Sequence, residues 1–128
     1  MSGNFGTLGK ASGQALSRRV AALETGVRRF ERAPTSESLS GLCGRIASLW
    51  IPILSRMSEA VIGPEPTIQR YDKVITAAIQ IARKSVAHEQ RDPCIGYLKR
   101  RQHLLRDFHD AGITGVRIRL LQAIQRER

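Results

Sequence analysis

Aromatic residues are scarce here: Phe, Tyr and Trp together make up 5% of the 128 residues, and there is a single Trp. The core must therefore be assembled from Leu, Ile, Val and Ala, and a single-stranded nucleic acid would find few rings to stack on. Cysteine is equally sparse. Cys43 and Cys94 stand far apart without a C-x2-C spacing, which excludes a zinc ligand set and a disulfide framework and points to a reducing intracellular compartment. No Gly-rich loop follows a strand and no Ser or Cys sits in a nucleophile elbow, so nucleotide-cradling and nucleophilic chemistry have no support. No cofactor is expected, and no enzyme activity.

Long apolar runs are missing too. The most apolar stretch, Ile46 to Leu54, is interrupted by Pro52 and flanked by Arg45 and Arg56, short of the roughly 20 residues a membrane span needs. Acid is in short supply: 11 Asp and Glu stand against 21 Lys and Arg, for a net charge of +10. Lysine is scarce within that excess, with 4 Lys against 17 Arg. Arginine suits bidentate phosphate contacts and stacking on bases.

The charge is unevenly spread. Residues 1–34 carry +4, 35–66 carry −1, 67–92 carry +2 and 93–128 carry +5. The basic surface thus belongs to the two ends of the chain. Residues 1–34 are rich in Ser, Gly and Arg, with no acid before Glu24. This resembles a mitochondrial presequence, so mitochondria are an alternative location.

The patterning is helical. Residues 1–13 hold four glycines and read as a flexible arm, leaving 14–128 as one domain. Leu16, Val20, Leu23, Val27 and Phe30 recur at spacings of 4, 3, 4 and 3, one stripe of a helix that Pro34 ends. Arg18, Arg28, Arg29 and Arg32 fall roughly 120–220° from Leu16, on the opposite face. Thr35 and Ser36 can cap a second helix carrying Leu39, Leu42, Ile46, Leu49, Ile53, Met57 and Val61, which Pro52 should kink near Leu49 to Ile51. Gly63, Pro64 and Pro66 form a break. A third helix from about Thr67 to about Gln90 buries Ile68, Tyr71, Val74, Ile75, Ala78, Ile79, Ile81, Ala82 and Val86, with Arg70, Lys73, Arg83 and Lys84 across the outer arc. Asp92 and Pro93 read as the start of a fourth helix, and Gly112 as its stop. Residues 113–128 match both strand and helix patterns. A lone strand would have no partner, so helix is expected. The fold class is therefore an all-α compact bundle of four to five helices with a flexible N-terminal arm.

Chemistry-bearing clusters are few. Arg83 and His88 have an R-x4-H spacing that resembles the active-site motif of HEPN ribonucleases, but they point about 140° apart on an ideal helix, so the family is not carried over. His103, Asp107 and Asp110 share a helix face, where a solvated set of ion pairs accounts for them. Phe108 to Leu121 resembles a helix-turn-helix. Phe108 stands where that motif has a small residue, and Gly115 weakens its second helix. Arg101 breaks its pattern: it falls among Tyr97, Leu104, Leu105 and Phe108, so it either snorkels from the edge or is paired in an interface.

The expected function is non-enzymatic binding of nucleic acid, RNA more than DNA, through arginine-phosphate contacts. The residues expected to carry it are Arg18, Arg28, Arg29, Arg32, Arg70, Lys73, Lys84, Lys99, Arg100, Arg106, Arg117 and Arg119. The alternative is a self-associating scaffold or a subunit of a larger assembly. In either case a homo-oligomer is expected through the heptad-like stripe of Leu16, Val20, Leu23, Val27 and Phe30.

Overall fold

The computed structural model describes residues 4–59 and 66–127, with side chains over 14–57, 66–110, 118 and 121–127. The described residues form helices α1 (Asn4–Arg32), α2 (Ser36–Ser48), α3 (Trp50–Glu59), α4 (Pro66–Ser85) and α5 (His88–Glu127), with no strand among them. The all-α bundle expected from the spacing is what forms. Of the segment read as an arm, residues 4–13 continue the backbone of α1 and residues 1–3 lie outside the described residues.

α1 stops and α2 starts where the sequence places the signals. α1 ends at Arg32, just before Pro34, and Thr35 caps α2 by accepting the Ser38 N–H at 3.1 Å. The kink expected at Pro52 is a full break at Leu49, between α2 and α3. The carbonyls freed there are satisfied locally. Ser48 Oγ donates to the Arg45 carbonyl at 2.7 Å, and the Ile46 carbonyl accepts from the Leu49 N–H and, at 2.6 Å, from the buried Tyr71 hydroxyl. Burial keeps that hydroxyl protonated far beyond its ordinary range. Ser36–Met57 is, by length and composition alone, long and apolar enough to cross a membrane, with a mean hydropathy of 1.2. Its apolar residues Leu39, Leu42, Ile46, Leu49, Trp50, Ile53 and Leu54 instead make up the centre of the core.

α1 is where the structure departs most from the sequence expectation. Leu16, Val20, Leu23, Val27 and Phe30 are buried within the single chain, at 9% exposure or less, against α2 and α4. The stripe assigned to an oligomer interface is therefore internal, because burying each such side chain at home is worth about 1.5–3 kcal/mol. Gly26 lets α1 approach α2 closely: a Cβ there would sit 3.1 Å from Arg45 Nη2 and 3.4 Å from Leu42 Cδ1.

Two expected boundaries also shift. Gly63, Pro64 and Val61 lie outside the described residues; α4 begins at Pro66, where the first helical position tolerates a missing N–H. The α4–α5 junction is at Val86 and Ala87, not at Asp92–Pro93. Ala87 accepts the N–H groups of Gln90 and Arg91, and Asp92 pairs with His88 Nδ1 at 2.9 Å instead of capping. Pro93 sits in the second turn of α5. It deprives the Glu89 carbonyl of its donor, but both residues are exposed and water can substitute.

Helical backbone continues past Gly112 to Glu127, so 113–127 is helix and the expected termination at Gly112 does not occur. The path of α5 nevertheless reverses. Arg101 Nη2 lies 3.8 Å from Glu127 Oε1, although a straight helix would part these residues by about 39 Å. Gly112 and Gly115 fall in the interval, and Ala123 returns to the core at 5% exposure.

Candidate nucleic-acid interface

α1 and α4 run parallel, and their shared seam organises much of the basic charge. Arg70 of α4 reaches Glu24 of α1 with Nη2 at 2.6 Å and Nε at 3.2 Å from Oε1, and donates from Nη1 to Ser17 Oγ at 3.0 Å. The hydrogen bond from Arg70 holds the Glu24 carboxyl below its ordinary range. Burial opposes this, and the charges of Arg70, Arg28 and Lys73 reinforce it. Arg70, expected to bind phosphate, is thus committed to joining two helices.

Further along, the C-terminal ends of α1 and α4 lie together. Glu31, Gln80, Ile81, Arg83, Lys84 and Ser85 line a groove of about 600 Å³ between them. Arg29 and Arg32 occupy the last turn of α1, and Arg83 and Lys84 the last turn of α4. Cations here also offset the partial negative charge of the two helix ends. Arg91 adds to this by capping α4, donating from Nη1 to the Arg83 carbonyl at 2.6 Å.

Arg18, Arg28, Arg29 and Arg32 are exposed on the outer face of α1, where Arg28 Nη2 touches Thr25 Oγ1 at 3.2 Å. Lys73, Arg83 and Lys84 are exposed on α4. The second basic group is on α5. Lys99, Arg100 and Arg106 are exposed, and Lys99 and Arg100 share a groove of about 350 Å³ with His103 and Leu104. α1 and α5 make no packing contact among the described residues, so the structure separates the expected set into two groups. The side chains of Arg117 and Arg119 lie outside the described residues.

The remaining candidates are surface features. His103, Asp107 and Asp110 are exposed, and among the described residues no group of three His, Cys, Asp or Glu side chains could hold a metal ion. His88 is engaged by Asp92. Arg101 is mostly covered: its guanidinium lies 4.7 Å from the ring centres of both Trp50 and Tyr97. Of the groove's charged residues, sequence reasoning left Arg83 and Glu31 out of the candidate set. The pairing of basic last turns on two helices was the available signal for Arg83. Compared with known proteins, the chain matches no protein family, no curated protein and no solved structure.

Proposed function

We propose that this protein is a non-enzymatic nucleic-acid-binding module that grips the phosphates of a duplex, RNA in preference to DNA. The observation that carries this reading is the outer face of α1. Arg18, Arg28, Arg29 and Arg32 are all exposed there, and the face continues to Arg83 and Lys84 across the groove at its end. Of the two acids beside this face, Glu24 is paired with Arg70, and Glu31 lines the groove with Arg83 and Lys84. Aromatic burial supports phosphate contact over base stacking: Phe30, Trp50, Tyr71 and Phe108 are in the core, and Tyr97 is covered by Arg101.

The test is a titration of RNA and DNA duplexes at several salt concentrations. Each phosphate contact releases condensed counterions, so log K should fall with log salt by about 0.9 per contact on B-form DNA, giving a slope of several units. Arg29→Glu with Arg32→Glu should weaken binding to all sequences alike and make the slope shallower. Binding absent at low salt defeats the proposal. A second reading, a subunit of a larger assembly, is favoured by Ile118 and Leu121, which are 55% and 62% exposed on α5. Retained salt dependence without a partner would count against it.

A further inference from the structure

The packing of α2 against α5 brings together two cysteines that the sequence keeps far apart. α5 is antiparallel to α4, since Arg91 meets Arg83 while Gln102 Nε2 meets Asp72 and Thr76. α1 is parallel to α4, and α2 folds back along α1, with Leu42 and Arg45 beside Gly26. α2 and α5 consequently run in the same direction. Trp50 opens α3 directly after Leu49, and Arg101 of α5 reaches it with Cζ 4.7 Å from the ring centre. Leu49 keeps right-handed helical dihedrals, φ −94° and ψ −2°, so the step from Trp50 back into α2 stays helical in sense. Cys43 and Cys94 stand seven residues before Trp50 and Arg101 respectively, which brings them to about the same level of the α2–α5 seam. Both are free thiols, both are half-buried against the core, and Cys94 is among the groups that raise the Cys43 thiol's pKa.

We propose that Cys43 and Cys94 form a reversible disulfide that ties α2 to α5 when the protein meets a disulfide oxidant such as oxidised glutathione. Facing residues on closely packed helices approach the roughly 4.4–6.8 Å Cα separation that a disulfide spans. The reaction balances as a thiol–disulfide exchange. The Cys94 thiolate attacks one glutathione sulfur, the glutathione S–S bond breaks, and one glutathione thiolate leaves. Cys43 then gives up its proton and attacks the Cys94 sulfur, expelling the second glutathione. Two protein thiols are oxidised and one glutathione disulfide is reduced to two thiols. Burial, and secondarily Cys94, push the Cys43 thiol up to about 11, which suits it to the second step instead of the first.

The full chain, incubated with oxidised glutathione, alkylated and digested without reduction, tests this by mass spectrometry. The expected product is a monomer lighter by about 2 Da, in which the peptide containing Cys43 is joined to that containing Cys94. Its thermal midpoint should rise by on the order of 10 °C and return on reduction, because the bond closes a long loop in the unfolded chain. Cys43→Ser should stop at a glutathione adduct on Cys94. Glutathione retained on both cysteines of the wild type, or disulfide-linked dimers in place of the linked monomer, would overturn the proposal. The wild-type products decide it even if the variant does not fold.

Discussion

The Arg101 guanidinium lies 4.7 Å from the ring centre of Trp50 and the same 4.7 Å from that of Tyr97. One cation is thus shared between a ring on α3 and a ring on its own helix. The side chain is 22% exposed and reaches Glu127 at 3.8 Å, while Trp50 is buried and tilts against Phe108 at 6.0 Å between centres. Replacing Arg101 with Ala removes both stacked faces and the cover of the stem. Stability should fall by about 1–2 kcal/mol in urea unfolding. Lys at this position keeps the charge without the planar stack and should recover only part of the loss. A cycle with Tyr97→Leu should show coupling of roughly 0.5–1 kcal/mol.

Glu24 and Arg70 make stability depend on pH. The folded-state pKa of Glu24 is depressed, chiefly by the hydrogen bond from Arg70. Its contribution is therefore present above the unfolded value, about 4.3, and is lost as pH falls through the lower folded value. Both side chains keep about a third of their surface in water, at 33% and 35%, so the effect should stay below about 1 kcal/mol. Glu24→Gln should be slightly less stable than wild type at pH 7. The two proteins should converge as the pH is taken below 4.

Val20→Asp with Leu23→Asp distinguishes a core from an interface. Both positions are buried within one chain, at 0% and 2%. Two unpaired carboxylates there should cost more than about 4 kcal/mol and abolish cooperative unfolding by circular dichroism. A folded monomer from a dissociated dimer would contradict the internal packing of α1.

Glycine substitutions should divide by their surroundings. A Cβ added at Gly41 or Gly44 of α2 meets nothing within 4 Å. Ala at either site should stabilise by about 0.5–1 kcal/mol, since it restricts the unfolded chain and favours helix. At Gly26 the new methyl meets Arg45 Nη2 at 3.1 Å and Leu42 Cδ1 at 3.4 Å. Gly26→Ala should therefore gain less than Gly44→Ala in thermal unfolding.

Periodicity made the helices legible, because the 3.6-residue repeat that selects a helix also selects its buried face. Each stripe residue from Leu16 to Phe30 and from Leu39 to Ile53 is in the core. What periodicity could not say was which stripe meets which. The α1 stripe looked free because Pro34 isolates it in sequence, but its partner α4 lies beyond two other helices. Junction signals failed for a related reason. Asp92–Pro93 has the chemistry of a helix start, yet Ala87 supplies an earlier one and the exposed turn tolerates the proline. In the candidate interface, exposure of the α1 arginines was readable. The capture of Arg70 by Glu24, 46 residues away, was not, since neither residue departs from its pattern.

The parallel seam between α1 and α4 also dictates an order of assembly. Arg91 reaches the Arg83 carbonyl across 8 residues, whereas Arg70 reaches Glu24 across 46. Local contacts close first because short loops lose less entropy on closure. The α4–α5 and α1–α2 hairpins can therefore form independently, and the bundle is complete only when one hairpin docks on the other. During synthesis on a ribosome, α1 and α2 emerge before α4 exists to cover them. Val20, Leu23 and Phe30 lack the cover of α4 until the second hairpin docks, so the unfinished chain keeps part of its apolar α1 stripe in water.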